Sequence, residues 1–488
     1  YLVFKSKIGF PKKDKVQKPP YKPVKPKNSE QVSEYATFLN EITSEDIKID
    51  FLNFKKDTDY EEIRKNYHFY YNRNPINSIF SLRLEWGIGK YENNSLSFAT
   101  SFGGMIGNEK YSFNEFKEEL QKIGATVDFF NTMNHTGINI KGFDKHFKKT
   151  IELTGSFLGS MKIRKDDKKK LKKLIQGSVI DRKFESTDAS TKSDALKQYA
   201  IWGKKSDYLT RPTVKEVKRM EGDFLVDQIK DAMKVETTVF YTGTEERDVV
   251  INSIKEYLMI EDELRDSKSP YKFKKTLNNS NTIYFHNDKK AVQSQIYIIV
   301  DGDRMNENDR HLSNMFNKYF GGSMSGLVFQ EIREFRSLAY SAYGTYRRPF
   351  FFDESGRFEG FIGTQADKTI EAIETYMSLL EDMPIKANRL DGIQSGLLES
   401  LTSSRSNFRS IGSTIRNWSN QGFKEDPKIK QKEVYEISDF NEIVRFYNDY
   451  IKGKAITITI VGNKEKIDFG KLSKYGNIIE LKKGDIFN

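Results

Sequence analysis

Arg333 and Tyr340 stand seven positions apart in residues 321–345, GGSMSGLVFQEIREFRSLAYSAYGT, where a glycine loop leads into a short charged helix and then a tyrosine-studded strand. Neither residue is needed to make that turn. A guanidinium and a phenol so placed suit packing, an anion site or part of a catalytic apparatus. The bland alternatives are definite. Arg333 can pair with Glu331 or Glu334 on a helix surface, and Tyr340, with Tyr343 and Tyr346 nearby, is a common strand residue. Gly321, Gly322 and Gly326 form the loop before the helix, but no Lys-Ser/Thr pair follows them, as a phosphate-binding loop requires. The five histidines, His68, His135, His146, His286 and His311, are scattered, with no pair at helical ligand spacing. Cysteine is absent, which excludes disulfides, thiolate metal sites and a cysteine nucleophile, and leaves the redox compartment open.

The elements that must carry these residues follow from the rest of the chain. At 488 residues it is too long for one core, and 37% hydrophobic with 13% aromatic content is enough to build several. No run of 18 apolar residues exists; Ile296-Tyr-Ile-Ile-Val300 is strand length, so nothing here spans a membrane. The net charge of +11 is concentrated in two places. Residues 1–27 hold nine lysines and five prolines, an extended linker composition, and residues 162–173 read KIRKDDKKKLKK, the solvated face of a helix with Ile163, Leu171 and Leu174 on its apolar side. Neither run interleaves aromatic residues for base stacking, which argues against nucleic acid as a partner. The chain starts at Tyr1 with no signal-peptide pattern and is expected to be processed or cut from something longer.

An internal repeat organises the chain. Lys149-Thr-Ile-Glu152 recurs as Lys368-Thr-Ile-Glu371, an offset of 368 − 149 = 219; Ile175-Gln176 recurs as Ile393-Gln394 at 218; and Gly243 and Gly462, closing similar apolar strands, lie 219 apart. Phe116 matches Phe329 at 213, the difference being absorbed by a longer loop around residues 351–356. Two tandem copies of about 220 residues are implied. The expected division is a Lys/Pro-rich linker over 1–49 that can continue from a preceding half, a first repeat over 50–262, an inter-domain linker over 263–275 and a second repeat over 276–488. Period-two alternation marks strands at 79–87 and 293–300, with further strands at 125–130 and 137–142. A helix over 113–123 ends at Gly124, and 367–380 is an amphipathic helix with Ile370, Ile373, Met377 and Leu380 inward. Strands joined by both hairpins and helices give an α+β fold, each copy a mainly antiparallel sheet with helices packed on one face.

The segment from Phe320 to Gly344 resembles the second-repeat signature of the insulinase/pitrilysin family of zinc metallopeptidases. In the first copy, Gly107-Asn-Glu-Lys-Tyr-Ser112, Phe116-Lys-Glu-Glu-Leu-Gln-Lys-Ile-Gly-Ala125 and Asn134-His-Thr-Gly are similar to that family's first repeat, and the likeness covers nearly all of 60–488. The resemblance implies an inverted zinc motif, His-x-x-Glu-His, just ahead of Gly107. Here those positions fall on Phe98, Ser101 and Phe102, and the downstream acidic ligand falls near Gln176. A phenyl ring cannot bind zinc, so the chain is expected to carry no metal; Phe98 and Phe102, one turn apart, are expected to pack in the vacated site.

Enzymes of this family, the resemblance implies, consist of two such halves closed around a peptide chamber, the half without zinc supplying an Arg and a Tyr. These map onto Arg333 and Tyr340, with Gly321 and Gly322 in the adjoining substrate-binding loop. Both would stabilise the oxyanion that develops on the scissile carbonyl. Arg336, three residues on from Arg333, is expected to face elsewhere. The implied partners are a homologous zinc-bearing half, fused upstream or a separate subunit, and a peptide or unfolded polypeptide; the zinc belongs to that half. Residues 1–8 are expected to be the last strand of such a half, and an extracytoplasmic location, periplasmic or secreted, is favoured. The other reading is a catalytically inactive scaffold or peptide-binding subunit.

Overall fold

The computed structural model describes residue 9 and residues 32–42, 48–322, 324–334 and 339–488. The chain divides into two units, 1–46 and 47–488. In the first, the helix Glu34–Glu41 is capped by Ser33, whose Oγ accepts from the Ala36 N–H at 3.1 Å. The expected strand over 1–8 and most of the Lys/Pro run lie outside the described residues.

In the second unit the strands of the first half are β1 (Asp59–Arg64), β2 (Tyr67–Arg73), β3 (Ile79–Trp86), β4 (Gly107–Asn108), β5 (Thr126–Asn131), β6 (Thr136–Phe143), β7 (Met161–Lys162) and β8 (Thr237–Gly243). Those of the second half are β9 (Thr282–Asn287), β10 (Gln293–Arg304), β11 (Ala339–Arg347), β12 (Ser355–Gln365), β13 (Ile456–Gly462) and β14 (Asn477–Glu480). One sheet runs β1-β2-β8-β3-β6-β5, the other β14-β9-β13-β10-β12-β11, and β4 pairs with β7 alone. Position by position the two sheets have the same plan, an α+β fold built twice. β8 and β13, which close on Gly243 and Gly462, occupy equivalent places, each antiparallel to one neighbour (β3, β10) and parallel to the other (β2, β9). The outermost strands differ: β1 runs antiparallel to β2, whereas β14 is parallel to β9.

Local chemistry accounts for the elements. The helix Phe113–Lys122 opens with a reciprocal capping box between Ser112 and Glu115, and Gly124 just beyond it takes the left-handed φ of 63° that a side chain resists. The helix Thr369–Glu381 buries Ile373, Met377 and Leu380. Each sheet packs its own helices on one face: Tyr67, Phe69 and Val239 join the first core, Ile283, Ile298 and Ile458 the second.

The opposite face of each sheet is covered by a helix from the other half. The Ala189–Trp202 helix lays Ala195, Leu196 and Tyr199 against Val461 and Tyr284, with Lys192 paired to Asp288 at 2.6 Å. Reciprocally, the Ile411–Gln421 helix brings Gly412 against Tyr70 and places Arg416 over Phe240 at 4.7 Å. β8 and β13 are therefore buried at every residue, covered from both sides.

Candidate functional site

The helix on which the zinc motif was expected, Leu96–Gly103, packs against the Gly222–Met233 helix and β5. Phe102 is fully buried, its ring beside Gly222, and fills core space. Phe98 is only half-buried and lines the mouth of a cavity of about 590 Å³ shared with the Asp167–Glu185 helix and residues 207–212. Ser101 is exposed, and its hydroxyl donates back to the Ser97 carbonyl at 2.8 Å. Gln176 is exposed too; Leu174, Gly177, Ser178 and Asp181 form that helix's wall of the cavity. Two phenyl rings and a hydroxyl spent on its own helix do not fit zinc. Among the described residues no group of three or more His, Cys, Asp or Glu could hold a metal ion.

The second copy carries the cation and the phenol. The segment Phe329–Glu334 is π-helical, a form that recurs at functional sites. Arg333 there stacks its guanidinium on Phe329 at 4.6 Å, and its Nε lies 3.5 Å from the Glu334 carboxylate, with the side chain 39% exposed. Glu331 turns instead toward Lys386, 3.9 Å away. Residues 335–338, Arg336 among them, lie outside the described residues. Tyr340 enters β11, the edge strand of the sheet, at a bulge: Ala339 opposes Thr364 and Ser341 opposes Gly363, leaving residue 340 as the extra one.

The glycine loop is held against this strand. A Cβ at Gly321 would come within 2.5 Å of the Gly344 nitrogen and 2.9 Å of its Cα, so loop and strand backbones touch. At Gly322 an added carbon would meet the Asn317 carbonyl oxygen at 2.9 Å. Arg389 fastens the loop to the π-helical segment, donating to the Ser325 carbonyl at 2.8 Å and to the Gln330 side chain. Both glycines thus have a packing role that the loop composition alone does not disclose.

Charged residues that sequence reasoning passes over gather in two places. Glu85, on β3, is buried and pairs with Arg83 at 2.5 Å and Arg416 at 2.6 Å. Burial pushes its pKa up, and the neighbouring arginines, Arg416 foremost, outweigh this and hold it below the usual carboxylate range. The second gathering is Lys90, Arg182 and Arg211, with Asp181, Glu185 and Asp207, around the cavity at Phe98. No spacing marks either group; only an acidic residue inside an apolar strand hints at Glu85. A larger cavity, about 980 Å³, lies between the halves, with Tyr91, Trp202 and Phe273 among its aromatic lining and Lys205, Lys274 and Arg348 among its cations.

The fold is one α+β plan built twice, and the positions where the zinc motif was expected hold Phe98, Ser101 and Phe102. Residues 235–397 match the family described as the peptidase M16 inactive domain. It is 22% identical over 356 residues, 72% of this chain and 82% of its relative, to the uncharacterized zinc protease YmxG of Bacillus subtilis. Its fold is similar to a solved peptidase M16 inactive domain from Pseudomonas fluorescens, with a TM-score of 0.64, 11% identity and coverage of 83% of this chain and 98% of that one. It is similar also to the periplasmic protease PqqL of Escherichia coli, with a TM-score of 0.66 and 12% identity over 86% of this chain. It spans 47% of PqqL, about half of that protease.

Proposed function

We propose that this chain is the zinc-free half of an M16 metalloendopeptidase, closing over a peptide chamber against a homologous zinc-bearing half. The observation that carries this is its length against PqqL: 86% of this chain superposes on 47% of a protease. The two halves are either fused, with 1–49 as the connector, or separate subunits. Within this chain 50–262 is the first repeat, 263–275 the joint and 276–488 the second repeat. The zinc would belong to the partner half. This chain's contribution is a guanidinium at Arg333 and a phenol hydroxyl at Tyr340, directed at the scissile carbonyl, where negative charge grows during peptide hydrolysis. Gly321 and Gly322 border the same substrate path. PqqL is periplasmic by name, which supports an extracytoplasmic place for this chain.

An inactive peptide-binding subunit is the competing reading, favoured by the aromatic and cationic cavity between the halves, which suits a peptide whether or not it is cut. Isolation from the native source separates the two. Recovery of this chain fused to or co-eluting with a zinc-bearing homologue of similar size, active together and inactive apart, is the expected result. Isolation without any such half, and with no peptidase activity in the complex, overturns the enzymatic reading in favour of the scaffold.

A further inference from the structure

The cavity left beside the vanished zinc motif is not merely filled in. Three cations line it, and two are neutralised: Lys90 pairs with Asp207 at 3.0 Å and Arg211 with Glu185 at 2.6 Å. Arg182 makes no ion pair with the described residues, and its Nη1 is buried without a hydrogen-bond partner, as is Nε of Arg211. A buried guanidinium N–H left unmatched costs free energy that a bound anion returns. Burial, and after it the nearby positive charge of Arg211, hold Arg182 below the usual arginine range, outweighing the opposite pull of Glu185 and Glu216. Asp181, next along the helix, is exposed.

The remaining walls narrow the ligand. Phe98 and Leu174 give an apolar side, and Ser178 supplies a hydroxyl. The unpartnered nitrogens of Arg182 and Arg211 suit a small anion, and an apolar wall beside them suits a short hydrophobic group attached to that anion. Arginine's planar fork matches a carboxylate with two parallel hydrogen bonds.

We infer that the vestigial zinc pocket of the first repeat binds the C-terminal carboxylate of a peptide whose last residue is apolar, with Arg182 and Arg211 holding the carboxylate and Phe98 and Leu174 the side chain. Such a site retains an end of a polypeptide, not its scissile bond, and involves no bond-making. It rests on the peptide-binding part of the proposed function and on none of its catalytic part.

Isothermal titration calorimetry on the full 488-residue chain tests it. The probes are acetyl-Gly-Gly-Leu as the free acid, the same peptide as its C-terminal amide, acetyl-Gly-Glu-Gly-amide, whose only carboxylate is a side chain, and inorganic phosphate. The free acid is expected to bind at least tenfold tighter than the other three. Arg182→Gln is expected to weaken the acid at least tenfold without changing the amide, and Phe98→Ala to weaken it severalfold. Equal affinity for acid and amide, no binding of the acid at millimolar concentration, or tighter binding of phosphate overturns the inference, and an equally tight glutamate peptide overturns its C-terminal assignment. Should Arg182→Gln not fold, the acid and amide pair still decides on the native chain. A chain that binds none of the peptides yet co-purifies with a zinc-bearing half would sink this inference and leave the proposed function standing.

Discussion

The reciprocal crossing of helices makes Arg416 a joint between the halves. Its side chain is 13% exposed, and the Glu85 carboxylate it meets at 2.6 Å is 5% exposed, so the pair is largely removed from water. Removing one member of a buried pair costs about 3–5 kcal/mol, because a charge is left stranded. Arg83 remains at 2.5 Å and takes up part of that loss. The stack of Arg416 on Phe240 at 4.7 Å adds back about 1 kcal/mol. Arg416→Ala is therefore expected to cost about 3 kcal/mol in urea unfolding at pH 7. Arg416→Met with Glu85→Gln should show a coupling of about 1–3 kcal/mol in a double-mutant cycle. Because each half supplies a cover to the other's sheet, tryptophan fluorescence and far-UV circular dichroism should report one coincident transition for 47–488. A loss under about 0.5 kcal/mol for Arg416→Ala, or two well-separated transitions, would refute the interlocking account.

Gly321→Ala forces a carbon against the Gly344 backbone, which cannot swing aside, and should destabilise the second repeat by about 2 kcal/mol in urea; an unchanged midpoint would mean that loop and strand part freely. His311 is fully buried, and burial first, then Arg348 and Arg310, push its pKa down from 6.5 to about 4. The folded state therefore resists a proton that the unfolded chain accepts: this contribution is intact above pH 6.5, declines as the pH falls toward 4 and is gone below it. Between pH 6.5 and 5 it should remove about 2 kcal/mol, and His311→Phe should flatten that part of the pH–stability curve, whereas an identical slope would contradict the assignment. In the assembled two-half enzyme Tyr340→Phe should lower kcat roughly a hundred- to a thousand-fold with little change in KM, while Arg336→Ala leaves turnover near normal. Full activity of Tyr340→Phe would make that stretch packing alone.

The doubling of the chain, the alternation of strands and helices within each copy, and the lack of metal-binding side chains at Phe98, Ser101 and Phe102 are all written in local spacing or residue type. The inward faces of the helix over 369–381 and the turn at Gly124 were legible for the same reason: a 3.6-residue period and a left-handed φ are properties of neighbouring residues. Tertiary structure decided what covers those faces. That β8 lies parallel to β2, that the helices Ala189–Trp202 and Ile411–Gln421 change sides, and that Glu85 finds Arg416 depend on contacts between residues far apart in the chain. Periodicity tells which surface is apolar and is silent on its partner. The same limit explains the vestigial site. Residue type alone says that a phenylalanine cannot bind a metal, but only packing put Phe102 in the core and left Phe98 on the wall of an open cavity with Arg182, because side-chain burial is settled by every element that meets there.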